Sequence, residues 1–399
     1  MERKRIAIIG GGPAGLIAAD VLAPHGDVHV YEQGKSIGRK FLVAGQGGFN
    51  LTNSAEGSEL KSLYSPPGFL DMALDAFGTA ELRAWLEELG IGTYVGTSGR
   101  VFPTKGIKPI EVLHAIRVRL VARGVQFNLE HAFVGFDEAA RPIIESSAGL
   151  AVVEADHILF ALGGASWPVT GSTGSWSAHF ASIGIDVRPF RSSNCGVNVH
   201  WPASFITAHA GKPLKNIRIT AGDRSVLGEA TITRYGLEGN AIYPIVPAVR
   251  DALANGTDAA VYIDLKPNNT VEQLLRKLSG STPKDYPKGL NLDRAQLAMV
   301  KAVTPKERYF SPADLVEDSK HLRLPLTGLR PLEEAISTVG GIRTEDLDPG
   351  FAFQRFPHFF AIGEMVDWDA PTGGFLLQGC FAMGHHAAQR ILRTSRTDR

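Results

Sequence analysis

The sequence predicts an α/β protein in which both chain ends build one doubly wound parallel domain around an antiparallel β insert and a small helical segment. Three observations lead there. Apolar runs that end in glycine recur at Ile6–Ile9, Ile158–Leu162 and Phe359–Ile362, as buried parallel strands do. The first of these runs into Gly10, Gly12 and Gly15, spaced as G-x-G-x-x-G. Between about residues 190 and 335 the pattern changes to short β-like segments broken by Gly, Pro, Asn and Asp.

The glycine motif reads as the start of a Rossmann-like dinucleotide-binding domain. Gly10 allows the tight turn, Gly12 lets the backbone approach a pyrophosphate, and Gly15 lets the next helix pack close to the strand. Pro13 and Ala14 open that helix, whose first N–H groups face the phosphates. Glu32, with Gln33 behind it, follows about 20 residues on and ends the second strand, where a carboxylate accepts hydrogen bonds from ribose hydroxyls and disfavours a 2′-phosphate. A glycine-rich turn without a ligand is the competing reading.

The remaining elements follow in order. Gly38 to Asn53 is a glycine-interrupted loop. Its Arg39 and Lys40 are placed at phosphate or ribose, and Gly47 and Asn50 at the cofactor or its flavin face; a solvated loop is the alternative. Ala80–Leu89 and Lys108–Ala122 read as helices closed by Gly90 and Gly124. Val125–Phe136 reads as a returning strand, with Phe133 on the adenine side. Ala161 and Gly163 end the strand that closes over the cofactor. It lacks G-x-G-x-x-G spacing, so a second dinucleotide fold is not expected. Ser177–Ser182 reads as a helix. Gly196–Val199, Asn216–Thr220, Ser225–Thr233, Ala241–Ile245 and Ala259–Asp264 read as strands of a barrel or sandwich. Val271–Leu278, Leu292–Ala302 and Pro312–His321 read as helices. Ser337–Ile342 resumes the apolar-plus-glycine style, and a last helix starts near Leu376.

Lysine plus arginine equals aspartate plus glutamate, 41 each, so no global basic field points to nucleic acid or an anionic membrane. Lys212, Lys215, Arg218 and Arg224 are read as a solvated face, with a basic patch for RNA on the insert as the alternative. No apolar stretch spans a bilayer, and the first apolar run carries the glycine motif, which makes it a strand and not a signal peptide. Cys195 and Cys380 form no C-x-x-C, which removes a dithiol mechanism and leaves a reducing cytoplasm as the simplest compartment. Adjacent His385 and His386 point about 100° apart on a helix, and no metal site is assigned.

Several short runs together resemble the HI0933-like flavoproteins, a bacterial FAD family also described as aminoacetone-oxidase-like. They are the amino-terminal glycine motif with its Pro13-Ala14, Gly38-Arg-Lys-Phe-Leu, Asn50-Leu-Thr-Asn, Gly99-Arg-Val-Phe-Pro, Ala161-Leu-Gly-Gly-Ala-Ser, Tyr235-Gly-Leu-Glu-Gly, Thr338-Val-Gly-Gly and Gly363-Glu-Met-Val-Asp. The resemblance implies a glutathione-reductase-like FAD-binding domain over 1–190 and 335–399, an inserted antiparallel β-barrel over 191–269 and 322–334, and a helical domain over 270–321. This sequence departs from the family at Gly48, Phe49 and Arg234, so roles of the family's side chains there do not transfer.

The expected cofactor is FAD. Reduced flavin gains negative charge at N1 and the C2 carbonyl, which a helix N-terminus stabilises. Gly373, Gly374, Phe375 and Leu376 precede or open the last helix and are placed at the pyrimidine end. Gly363 and Glu364 are placed at ribityl or pyrophosphate oxygens, and Asp367 at the cofactor; a capping or surface acid is the alternative for Glu364. Asn50 and Tyr235 are the candidate catalytic residues, Tyr235 as a proton donor. A buried tyrosine with a satisfied hydroxyl is the commoner case. With one dinucleotide fingerprint, NAD(P)H is expected to act as a transient reductant, and the acceptor to be an unsaturated small molecule or an RNA uracil. A flavin-dependent amine oxidase and a non-catalytic FAD module that docks on RNA or protein are the competing readings.

Overall fold

A computed structural model describes residues 3–43 and 49–397, with side chains through residue 394. Gly47 and the rest of 44–48 lie outside the described residues. The chain divides into two compact units, Met1–Arg191 with Ser337–Arg399, and Ser192–Ile336.

In the first unit β1 (Arg5–Ile9) leads through α1 (Pro13–Leu22) to β2 (Asp27–Glu32). After α2 (Arg39–Val43), β3 (Thr52–Asn53), β4 (Thr93–Val95) and β5 (Arg100–Pro103) form a small antiparallel sheet. Helices α3 (Gly57–Lys61), α4 (Asp71–Ala76) and α5 (Thr79–Glu88) lie between β3 and β4 in sequence. Next comes α6 (Pro109–Ala122), with proline in its first turn and Gly124 just beyond its end at φ +84°.

The expected strand Val125–Phe136 is two strands. β6 (Gln126–Leu129) joins the parallel sheet, and β7 (Ala132–Phe136) pairs instead with β8 (Pro142–Ser146), which pairs with β9 (Gly149–Val152). The break falls at Glu130, φ +58°, which takes the chain out of extended conformation. β10 (His157–Phe160) returns to the parallel sheet before α7 (Ser177–Ser182).

In the second unit a seven-stranded sheet is wholly antiparallel. Its strands are β12 (Val197–Asn198), β13 (Pro213–Ala221), β14 (Arg224–Ile232), β15 (Gly236–Glu238), β16 (Ala260–Asp264), β17 (Leu322–Pro325) and β18 (Gly328–Leu329). β17 is one edge and β18 the other, yet only Leu326 and Thr327 separate them. Flat, six gaps of about 4.8 Å would hold the edges nearly 30 Å apart, while that link reaches roughly 10 Å. The sheet therefore rolls until its edges meet, as a barrel. Arg218 and Arg224 stand on its exposed face.

The expected strand Ala241–Ile245 is instead a 3-10 turn, Tyr243–Ile245, leading into α9 (Val246–Ala254). A short, wholly apolar run does not distinguish strand from buried helix, and Pro244 and Pro247 favour helix starts over a ladder. α8 (Ala203–His209) is a further helix that the turn signals do not reveal. Between β16 and β17 lie α10 (Val271–Leu278), α11 (Tyr286–Gly289), α12 (Arg294–Val303) and α13 (Pro312–Lys320). Thr270 and Asp293 cap α10 and α12, each paired with a glutamine three residues on in a capping box. Leu274, Met299, Val300 and Leu315 share one apolar core with barrel residues Ile217, Ile219 and Val261. Lys320 fastens α13 to β16 through Asp264 at 2.6 Å.

The chain re-enters the first unit with β19 (Ser337–Ile342), which pairs with β11 (Val187–Ser193), then β20 (Phe359–Ala361) and the 23-residue α14 (Phe375–Thr397). The parallel sheet has the order β20-β10-β1-β2-β6. Its chain direction reverses between β1 and β10, the switch point at whose carboxyl edge ligands of such sheets bind. α14 covers α1. A Cβ on Gly384 of α14 would strike the Ala14 carbonyl oxygen, and one on Gly363 would stand 3.1 Å from the Ala14 Cβ.

Gly384→Val is expected to force α14 off α1 and cost about 1–3 kcal/mol, the usual range for overpacking. Denaturant unfolding of the apoprotein measures it; an unchanged midpoint would mean the two helices do not depend on this approach.

Candidate functional site

The turn between β1 and α1 uses its glycines for different reasons. Gly10 has φ +115°, and a Cβ there would strike the Ala161 carbonyl oxygen. A Cβ on Gly15 would strike the Gly10 carbonyl oxygen. Protein packing alone demands both. Gly12 differs: its φ of −84° and ψ of 179° suit any residue, and a Cβ would meet nothing within 4 Å. Its lack of a side chain serves something other than the protein's own packing. No side chain caps Gly12, no acidic residue occupies the first turn of α1, and Pro13 begins the helix. The helix start thus offers free N–H groups and partial positive charge to an anion. Glu32 closes the same turn, accepting hydrogen bonds from the backbone N–H of Gly11 at 2.9 Å and of Gly34 at 2.8 Å. These residues fit the diphosphate and ribose of a dinucleotide.

The cations of the next loop are engaged by the protein. The Lys40 Nζ sits 2.7 Å from Glu364 and 2.6 Å from the Ser166 hydroxyl. Glu364 also accepts from the Thr338 N–H at 3.2 Å. The two side chains expected at phosphate and ribityl oxygens therefore neutralise each other. Arg39 donates to the Val169 carbonyl at 3.0 Å and Gln33 to the Gly171 carbonyl at 2.7 Å, so both hold the 168–171 turn. Asp367, expected at the cofactor, accepts from the Gly340 N–H and from Arg188, each at 2.7 Å. Its carboxylate is a latch between β19 and β11. The Phe133 ring, expected beside adenine, packs with Phe136, Phe160, His179 and Phe180, with centroids 5.1–6.0 Å away. In each case the charge or ring finds a partner in the fold that local sequence does not show.

At the other side of the switch point, Gly163 accepts a hydrogen bond from the Trp176 indole at 2.9 Å. Gly363, φ +77°, sits 3.8 Å at its would-be Cβ from the Cys380 sulfur. Burial, with Glu364 nearby, pushes the Cys380 thiol up to about 12, so it stays a protonated packing group. Gly373 and Gly374 have φ of +112° and +104°, and a Cβ on Gly374 would strike the Thr52 backbone. The start of α14 is further fixed by the Thr52 hydroxyl donating to Gln378 at 2.7 Å, and by the Tyr64 hydroxyl donating to the Phe375 carbonyl at 2.8 Å. Asn53 donates to the Gly373 carbonyl at 3.3 Å. Leu376 is half-buried one residue beyond Phe375. Arg100, which no motif spacing singles out, lies 3.7 Å from the would-be Cβ of Gly373. Only the pairing of β3 with β5 brings it there.

Asn50 is half-buried directly before Leu51. Tyr235 belongs to the second unit. Its hydroxyl donates to the Glu238 carboxylate, and the Arg330 guanidinium covers its ring at 4.2 Å. Burial first, and Glu238 second, raise its pKa well above the usual phenol value. Among the described residues no helix is long and apolar enough to cross a membrane.

A parallel sheet with a bare helix start at its switch point, and an acid at the end of the second strand, defines a dinucleotide-binding protein of the Rossmann type. The chain belongs to the HI0933-like family: the model described as HI0933-like protein Rossmann domain matches residues 4–390. It is an FAD-dependent oxidoreductase. It is 27% identical to a 3-dehydro-bile acid delta(4,6)-reductase of Clostridium scindens, over 97% of this chain and 98% of that protein. It is 26% identical to a ribosomal RNA dihydrouridine synthase of Haemophilus influenzae, over 97% of this chain and 98% of that protein. A solved 3-ketosteroid-delta4-(5alpha)-dehydrogenase from Rhodococcus jostii RHA1 matches 97% of each chain at 13% identity and a TM-score of 0.49.

Two outcomes follow from the site. Gly12→Val should leave apoprotein stability within about 0.5 kcal/mol, as for a site without neighbours, while raising the FAD dissociation constant by about tenfold or more, some 1.4 kcal/mol. Fluorescence titration with FAD beside thermal unfolding of the apoprotein measures both, and equal FAD affinity would remove the ligand from Gly12. Lys40→Met should cost about 1–3 kcal/mol by stranding a largely buried carboxylate, and Glu364→Gln in the same chain should recover part of it. Additive losses in a denaturant double-mutant cycle would show that the pair does not act as one.

Proposed function

We propose that this protein is an FAD-dependent reductase of carbon–carbon double bonds conjugated to a carbonyl, with its flavin reduced transiently by NAD(P)H. The observation that carries this reading is the chemistry common to two differently named relatives of nearly full length. A delta(4,6)-reductase acting on a 3-dehydro substrate saturates ring double bonds conjugated to a ketone. A dihydrouridine synthase saturates the uracil double bond conjugated to a ring carbonyl. A double bond so conjugated is electrophilic at the carbon far from the carbonyl, so the proposed reduction delivers hydride there and a proton to the nearer carbon.

When bound, FAD supplies the hydride chemistry. The chain supplies the rest. Gly10, Gly12, Ala14 and Gly15 with Glu32 hold the diphosphate and its ribose. The Thr372–Leu376 turn at the head of α14 holds the pyrimidine end of the flavin, with Gly373 and Gly374 giving bare backbone. Gly163 and Gly363 border the same ligand. Tyr235 is the proposed proton donor: its hydroxyl stays protonated across neutral pH, and the O–H that rests on Glu238 turns to the acceptor to deliver its proton. Among the described residues one G-x-G-x-x-G precedes a helix at a strand end, and so NAD(P)H is assigned a passing role at the flavin. The acceptor is an unsaturated small molecule or an RNA uracil.

Anaerobic titration of the yellow holoprotein tests this. NADH or NADPH should bleach the flavin, and a 4-en-3-one steroid or a uracil-containing RNA should restore it with saturation of the acceptor. Bleaching by simple amines with peroxide release in air would overturn the reading in favour of an oxidase. Failure of every donor to bleach bound flavin would leave a binding module.

A further inference from the structure

We infer that Arg100 is the cation that stabilises the negative charge of the reduced flavin at the head of α14. The inference rests on the proposal that the Thr372–Leu376 turn holds the pyrimidine end of that ring.

Arg100 lies on β5 directly opposite Asn53 on β3, and opposed residues of an antiparallel pair share a face. Asn53 is consumed locally. Its amide donates to the Gly373 carbonyl at 3.3 Å, and its oxygen accepts from the Ala55 N–H at 3.1 Å. Beside it, the Arg100 Nε stands 3.7 Å from the would-be Cβ of Gly373. The side chain is half-buried.

Several arginines that stand beside the chain's structural carboxylates are paired with them. Arg119 and Arg123 share Asp20, Arg188 holds Asp367, Arg308 holds Asp318, and Arg343 holds Glu345. Arg100 has no carboxylate within 4 Å among the described residues. Instead it stands at the positive end of a 23-residue helix whose first turn carries no acid. Cations are favoured at helix C-termini and disfavoured at the start, where the partial charge is already about +0.5. Two like charges are thus brought together, part-way out of water. An anion between them turns that repulsion into attraction.

The flavin supplies such an anion only in one redox state. Two electrons and one proton, taken up at N5, leave N1 without a proton and its charge shared with the C2 oxygen. The oxidised ring is neutral there. A cation at this place therefore acts on the balance between the two forms and raises the midpoint potential, with little effect on how tightly oxidised FAD is held. This makes Arg100 a tuning residue, distinct from the groups that grip the diphosphate.

The test uses holoenzyme of wild type, R100M and R100K. The midpoint potential is read against reference dyes, and sulfite, which adds at N5 to give an anionic adduct, is titrated by loss of the visible band. R100M should bind oxidised FAD within about threefold of wild type but reduced FAD about tenfold or more weakly, a fall of about 30 mV for a two-electron couple. Its sulfite dissociation constant should rise about tenfold, and R100K should stay near wild type, since the charge rather than the guanidinium shape acts here. Should R100M fold poorly, R100Q takes its place. Unchanged potential and sulfite affinity in the neutral variants would overturn the inference. So would an equal fall in R100K, or loss of oxidised FAD from R100M. A wild-type protein that takes up no flavin would sink the underlying reading of the site instead.

Discussion

The close approach of α14 to α1 is the constraint on which the first unit depends. Gly384 lies where any side chain would strike the Ala14 carbonyl, and Gly363, just beyond β20, closes on Ala14. Ala14 is in the first turn of α1, directly behind the glycine turn. Residues 349 and 370 positions apart are therefore set against one another by small side chains. The arrangement trades side-chain volume for backbone proximity. It brings the carboxy-terminal segment to the phosphate-binding turn, so that one extended ligand can meet both.

Charge is organised around that approach. Lys40 and Glu364 neutralise each other, Asp367 is divided between Arg188 and the Gly340 N–H, and Asp20 holds two arginines and the Trp85 indole. Partly buried charges in a fold of this kind are expected to be paired. What stays uncommitted is therefore informative: the bare start of α1, the N–H side of the turn at the head of α14, and the Arg100 guanidinium. These are the features that protein packing does not explain, and all three present positive potential.

The second unit solves a different problem. An antiparallel sheet with exposed edges invites pairing with other chains, and a barrel removes the edges. Here the link of Leu326 and Thr327 enforces closure, and the helices of residues 271–320 bury their apolar faces in the same core. Tyr235, Glu238 and Arg330 sit on this rigid frame, where the cation over the ring and the carboxylate at the hydroxyl fix the phenol in one orientation.

The parallel sheet was legible in the amino-acid order because its signals are local. Apolar runs ending in glycine mark β1, β10 and β20, and Gly10, Gly12 and Gly15 with Glu32 mark the turn between β1 and α1. The helices at Ser177–Ser182 and Val271–Leu278 also lie where the sequence reading places them, the second capped by the adjacent Thr270. Short apolar runs were not: Ala241–Ile245 reads as strand and folds as a helical turn, since periodicity is silent when every residue of a short run is apolar. The partners of charged side chains were also hidden. Lys40 and Glu364 each look like a cofactor ligand alone, and only the fold, which sets them 2.7 Å apart across 324 residues of sequence, makes them partners. Arg100 is the converse, an ordinary residue of a short strand until β3 and β5 pair and α14 arrives. Sequence by itself determined the elements, whose causes lie within a few residues; tertiary structure alone decided which charges cancel and which remain, because electrostatic energy depends on distance in space.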